Sequence, residues 1–301
     1  MAFALAAMSS AGGKAQRLEV YNDIMTSSAY ENSDGEHLGN GYMDKVTVKY
    51  EFPISSATDN EGGRILWRGI VRGFYAHLEN NGAASSYNPD DMLNANVNVM
   101  HVRPLKGRWS LIATAGLCIH TAFHDFTWRD VILNGAAIFS YSHSRRLDYG
   151  IGAAITTAYG WPLVLPMPYV RWRNGSPSEN VKGTWEIDLS MMGAVQASAA
   201  TWLTEDMKLN IDAFRMESMA ANHKVDGDWK VYSSTTMRSG LRPELKIGKT
   251  GMLSLAAGVV WRRGTSLADR SYSGFFKNFN HNRRRHFGPA MYISVGYNAG
   301  L

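Results

Sequence analysis

Along most of this chain, apolar side chains recur at every second position rather than every third or fourth. From Trp109 to His120 one face reads Trp109, Leu111, Ala113, Ala115, Leu117 and Ile119, and the other reads Ser110, Ile112, Thr114, Gly116, Cys118 and His120. Leu253, Leu255, Ala257, Val259 and Trp261 alternate with Ser254, Ala256, Gly258 and Val260, while Leu93, Ala95, Val97 and Val99 alternate with Asn94, Asn96 and Asn98. The same rhythm sets Trp185, Ile187, Leu189 and Met191 against Glu186, Asp188 and Ser190, and Met207, Leu209, Ile211 and Ala213 against Lys208, Asn210 and Asp212. A period of two puts successive side chains on opposite faces of a strand, and helices do not sustain it. The pattern predicts about fourteen strands, with twelve to sixteen compatible with the weaker segments. They lie near 17–28, 42–52, 65–77, 92–103, 108–120, 130–142, 147–158, 163–173, 183–192, 195–203, 207–216, 230–247, 252–263 and 290–298.

No apolar run reaches the roughly 18–20 residues of a membrane helix. The nearest, Trp161 to Val170, is short and contains Pro162, Pro166 and Pro168. Lipid offers no partner for backbone N–H and C=O groups, so strands cross it only as a closed barrel, each with about ten residues and alternate side chains facing lipid and lumen. The connections suit an up-and-down barrel with short turns at one end. Pro104-Leu105-Lys106-Gly107, Ser144-Arg145-Arg146, Thr204-Glu205-Asp206 and Gly248-Lys249-Thr250 follow even-numbered strands, whereas 29–41, 78–91, 217–229 and 264–289 follow odd ones. The connections after strands two and nine break this parity. Trp67, Trp109, Trp172, Trp185, Trp202 and Trp261 fall near strand ends, where a half-apolar ring with one N–H suits the membrane–water interface.

The last segment alternates in phase through Met291, Ile293, Val295, Tyr297, Ala299 and Leu301, and resembles the terminal strand read by the outer-membrane assembly machinery, with Leu where many such strands end in Phe. On these features the chain resembles the uncharacterised outer-membrane β-barrel families of Gram-negative bacteria. The resemblance covers nearly the whole length and implies the fold, contact with outer-membrane lipid and that location; it implies no reaction.

At the N-terminus, Met1 to Ala11 is small and apolar, and Gly13-Lys14-Ala15 resembles a signal-peptidase recognition sequence. Residues 1–16 are therefore expected to be a signal-peptide remnant or a disordered tail, and 17–301 the barrel. The net charge of +5 is spread through the alternating strands apart from Arg283-Arg284-Arg285, which argues against nucleic-acid binding. Cys118 is the sole cysteine, which excludes an internal disulfide and any multi-cysteine metal site.

Candidate chemistry lies on the polar faces. If the apolar faces meet lipid, then Lys45, Lys49, Arg68, Arg72, Arg171, Arg173, Lys208, Arg238, Arg242 and Lys246 point inward, together with Glu51, Glu186, Asp188, Asp212 and Glu244. Two consequences compete: a ladder of ion pairs that fills a narrow barrel, or a net-positive water-filled pore whose focused field favours anions. His120, His124 and Asp125 sit at a strand end and in a loop, not on a helix that could bring them to one metal, and Ser140 or Ser142 with His143 has no spacing that selects a hydrolase site. No catalytic, cofactor or metal residue is therefore assigned. The leading expectation is a porin-like passive channel for small polar or anionic solutes. The alternative is a closed barrel that anchors an envelope complex, with protein partners met through the long loops; an outer-membrane hydrolase comes third.

Overall fold

The computed structural model describes residues 16–60, 62–123, 126–175, 181–191, 194–225, 227–281 and 285–300. The expected remnant over 1–16 lies outside these except for Gln16. The strands are β1 (Arg17–Asn32), β2 (His37–Thr58), β3 (Arg64–Asn80), β4 (Asp91–Pro104), β5 (Trp109–Thr121), β6 (Val131–Ser142), β7 (Leu147–Thr156) and β8 (Leu163–Pro166). They continue as β9 (Tyr169–Arg173), β10 (Trp185–Ser190), β11 (Val195–Trp202), β12 (Met207–Val225), β13 (Asp228–Ile247), β14 (Gly251–Asp269), β15 (Arg285–Phe287) and β16 (Ala290–Gly300). Neighbours in sequence pair antiparallel, and β1 pairs with β16 from Arg17↔Gly300 to Met25↔Tyr292, which closes the ring. β8 and β9 both lie along β7, and β15 and β16 both lie between β14 and β1, so each couple is one interrupted stave and the barrel has fourteen.

The interruption between β8 and β9 follows from Pro166-Met167-Pro168. Proline has no N–H for the ladder; Met167 between the two prolines still donates its N–H to the Gly152 carbonyl at 2.9 Å, and its side chain is buried at 3% exposure in a cluster with Ile138 and Tyr169.

The wall is apolar outside and polar inside, the inverse of a soluble protein. Val97, Leu117, Leu133, Ile151, Leu241, Leu255 and Ile293 are all more than half exposed, while Glu19, Lys49, Asn94, Asn210 and Ser294 are buried. An uninterrupted apolar belt of this kind marks a lipid-facing surface. Trp67, Trp109, Trp172 and Trp185 stand exposed on the outside at the end of the barrel with the short turns, where Trp109 also packs on Tyr141 at 4.9 Å. At this turn end, 105–108 and 248–250 close tight hairpins, with Gly107 at φ 73° and Gly248 at φ 64°, values that side chains disfavour.

The opposite, loop end corrects part of the expectation. Residues 29–41 and 217–229, expected as loops, are mostly strand: β1 runs to Asn32, β2 starts at His37, and β12 and β13 form one long hairpin around 226–227. The segment 264–289 begins as strand to Asp269 and continues as a helix, Tyr272–His281, that packs on β14. A short helix, Ala83–Tyr87, occupies the β3–β4 connection. Beyond the membrane there is no lipid to enforce an apolar face, so these strand extensions lack alternation. The longish connection after strand two shrinks to 59–63 because β2 continues to Thr58, whereas the one after strand nine stays short at 191–194.

Leu255→Lys, on the outer face, is expected to cost about 2–4 kcal/mol if the side chain sits near the bilayer midplane, while Thr114→Lys on the inner face costs much less. Equilibrium unfolding of both variants in lipid vesicles checks this, and equal sensitivity would reject the assignment of faces.

Candidate functional site

Closing the ring brings the inward faces of β1, β2, β3, β11, β12, β13, β14 and β16 around one cavity of about 120 Å³, open in part to solvent. Its wall carries Glu19, Asp23, Lys45, Lys49, Arg72, Asp212, Arg215, Glu217, Arg238 and Arg242, with Tyr21, Gln196 and Tyr292 between them. Alternation along each strand supplies most of these. A register shift between Asp212 and Arg215 resets the phase of β12, which is why Arg215 and Glu217 join the wall although Asp212 is also on it.

The charges form a ladder. Lys45 lies 3.3 Å from Asp23 and 3.5 Å from Glu217, and Arg238 reaches the same two acids at 3.4 and 3.7 Å. Arg215 donates from Nε to Glu217 at 2.7 Å, which gives this carboxylate three cationic neighbours. Nearer the turn end, Lys49 contacts Glu51 and, at 3.6 Å, Glu19; Arg68 stands 3.8 Å from Glu51; Arg242 stands 3.4 Å from Glu244. On the far wall Arg171 binds Glu186 and Asp188, each at 3.0 Å, and Arg173 binds Asp148. Lys246 is only 3.9 Å from Asp206 at an exposed turn, and Lys208 lies 6.0 Å from the Trp202 ring centroid.

All fifteen residues proposed from the sequence to point inward lie on β2, β3, β9, β10, β12 or β13, but six of them line the cavity: Lys45, Lys49, Arg72, Asp212, Arg238 and Arg242. The sequence reading missed Glu19, Asp23, Asp148 and Glu217, which answer most of the cations. Arg72 is the exception: among the described residues no carboxylate lies within ion-pair distance of it. It faces Asn96 across the β3–β4 ladder, beside a run in which Asn98 donates to Asn96 at 2.8 Å and Asn96 to Asn94 at 3.2 Å.

Around this polar layer the interior is filled by apolar side chains. Met25, Met43, Leu78, Met92, Tyr232 and Tyr292 pack together on the loop-end side, and Met100, Ile112, Ile138, Met167 and Tyr169 do so on the β4–β9 wall. Rings this large fit because the facing residues are glycines: a Cβ at Gly240 would strike Tyr292, and one at Gly150 would strike Tyr169. The upper part of β12 then crosses the lumen. Its last pair with β11 is Val195↔Met216, and Asn222 further on meets Thr121 of β5, a strand that the ring otherwise separates from it by β6 to β11. Asn222 Nδ2 donates to the Arg129 carbonyl at 2.6 Å and to Asp130 at 3.2 Å, and the His120 ring bonds the Ala220 backbone.

A family model described as a domain of unknown function, DUF6268, matches residues 11–300. The chain belongs to that family. No curated protein matches. Among solved structures, an outer membrane channel of Pseudomonas putida F1 is similar at 9% identity and a TM-score of 0.50, with 97% of each chain covered. The toluene transporter TodX of Pseudomonas putida is similar at 9% identity, 98% of this chain and 92% of that one, and a TM-score of 0.39. The first likeness establishes the outer-membrane β-barrel fold for this DUF6268 chain; neither carries a solute to it.

The histidine and serine candidates do not assemble in the DUF6268 barrel. His124 and Asp125 lie outside the described residues. Ser140 is buried inside against the Tyr169 hydroxyl, whereas His143 is exposed beside Tyr141 and Tyr149, its ring centroid 6.4 Å from each of theirs. Cys118 accepts a bond from Asn134 at 2.8 Å.

Asp23→Asn leaves Lys45 and Arg238 to share Glu217, and is expected to lower the unfolding free energy by about 3 kcal/mol, as for other broken buried pairs. Lys246→Gln at the exposed turn should change it by less than about 1 kcal/mol. Denaturant titration in micelles distinguishes the two, and equal effects would mean that the inner ladder is hydrated and weak.

Proposed function

We propose that this chain is an outer-membrane β-barrel channel that passes small polar or anionic solutes passively. The observation that carries the reading is the charge-lined cavity in which Arg72 stands without a carboxylate partner among the described residues. Paired charges along the ladder cancel at short range, so the field felt by a passing solute is dominated by the cation left over. The asparagine run beside Arg72 supplies neutral donors and acceptors for a partly dehydrated polar solute. The exposed apolar belt and the fold likeness support an outer-membrane location.

A specific observation favours a second reading. The upper part of β12 spans the mouth onto β5, above an apolar layer of Met25, Met43, Leu78 and Met92. A lumen obstructed in this way suits a closed barrel that anchors or joins an envelope complex.

Conductance in planar bilayers separates the readings. The channel reading predicts anion-selective reversal potentials in the parent, which weaken as screening shortens to ~3 Å near 1 M salt. Arg72→Glu should shift them toward cations, whereas Arg242→Gln, within a pair, should shift them less. A variant with 220–233 replaced by a two-residue turn should conduct more than the parent. Silence of both the parent and the shortened variant, each correctly folded, would overturn the channel reading in favour of the anchor.

A further inference from the structure

Arg263 is a buried cation that the charged ladder does not use. It sits on the inner side of β14 toward the loop end, at 3% exposure, opposite Thr236 of β13 and Phe287 of β15. Its guanidinium lies over the Phe287 ring, with Cζ 3.8 Å from the centroid, and Phe287 packs in turn on Tyr30 at 4.6 Å. Its Nε and Nη2 donors have no hydrogen-bond partner among the described residues, and the ionisable groups close enough to act on it are Tyr232 and Tyr30, with no carboxylate. Two more buried polar atoms lie on the same face, the hydroxyls of Tyr232 and Ser234, which are near enough to interact with each other and have no hydrogen-bond partner beyond that couple among the described residues. Ser234 pairs across the ladder with Thr265, so it stands diagonal to Arg263, and Tyr232 is one inward position further. The nearby Tyr30 and Thr265 hydroxyls instead satisfy each other at 3.0 Å.

A guanidinium fork and two hydroxyls, buried together with no carboxylate, form a donor-rich set with a net positive charge. Ring stacking offsets part of the desolvation of Arg263 but accepts none of its N–H bonds. Water would accept those bonds and leave the charge uncompensated, at a cost that a buried lone charge bears heavily. An anion answers both needs. We propose that Arg263, Tyr232 and Ser234 form a binding site for one small anion, of halide or carboxylate size, which ties β13, β14 and β15 together near the mouth. The tight packing around it, with Tyr30, Tyr232 and Phe287 all buried to within 1% exposure, excludes larger ligands. The site is separate from the Arg72 cavity and stands whether or not the barrel conducts.

The test uses the purified, folded protein in detergent. Its thermal midpoint would be followed as bromide, chloride or acetate replaces gluconate at constant ionic strength. A saturable rise with one of these anions is expected in the parent. In Arg263→Met, which removes the buried charge while keeping an apolar contact with Phe287, the rise should vanish. In Tyr232→Phe the half-saturating concentration should increase at least about tenfold, the scale of one hydrogen bond to a charged partner. Halide dependence identifies a free inorganic ion; dependence on acetate alone identifies the carboxylate of a solute, and both support the site. Crystals of the parent grown in bromide give a reading independent of whether the variants fold, with an anomalous peak expected beside the Arg263 guanidinium. A midpoint that responds to anions equally in the parent and in Arg263→Met would overturn the proposal, as would ordered crystals with water but no bromide or acetate at Arg263.

Discussion

No backbone N–H or C=O can be left unpaired in hydrocarbon, and everything else in this molecule follows from that constraint. A sheet obeys it only by meeting itself, so the pairing of β1 with β16, residues almost the whole chain apart, is the bond on which the wall depends. Once the sheet closes, each strand has one side toward lipid and one toward a confined interior. Leu255 and Ile293 become the surface, and Asp23 and Lys45 become the core. The exposed surface is apolar, and the charged part of the interior must be stabilised by polar complementarity.

That interior is organised in layers with different physics. The charged layer holds together because nearly every cation has an acid within reach, and Glu217 serves as a hub between Lys45, Arg215 and Arg238. Such a network tolerates burial only while it is complete, since removing one partner leaves another desolvated and unanswered. The apolar layers above and beside it behave like an ordinary protein core, with tyrosines seated over glycines and methionines filling the irregular gaps. The barrel is thus a soluble-like interior inside a lipid-like exterior.

The strands inside the membrane were legible because lipid imposes a period of two, and segments such as 109–120 and 252–261 carry that mark on every residue. Legibility ended where lipid ends. Glu217-Ser218-Met219-Ala220-Ala221-Asn222 has no apolar face, yet it is strand, held by β13 and by Asn222 on β5. The cations of the lumen were found by parity alone, but their partners were not. Glu19 and Asp23 share the parity of Arg17 and Tyr21, a signal that was present and overlooked. Glu217 is hidden by the register shift after Asp212, which no simple alternation predicts. The pairing of Arg238 with Asp23 requires the closed ring itself, and no local pattern contains it.

The stave formed by β10 has a consequence for the surrounding bilayer. Trp185–Ser190 is six residues long. At about 3.3 Å per residue and a tilt near 40°, it rises only ~15 Å, against an apolar band of ~25 Å on such barrels. β7 and β12, each one strand beyond the neighbours of β10, are longer, so the hydrophobic height of the protein is uneven around its circumference. Lipids against the β10–β11 flank must shorten or tilt their tails to match it, at a modest cost for each ångström of mismatch. A low flank of this kind is matched best by a bilayer that is thinner on that side.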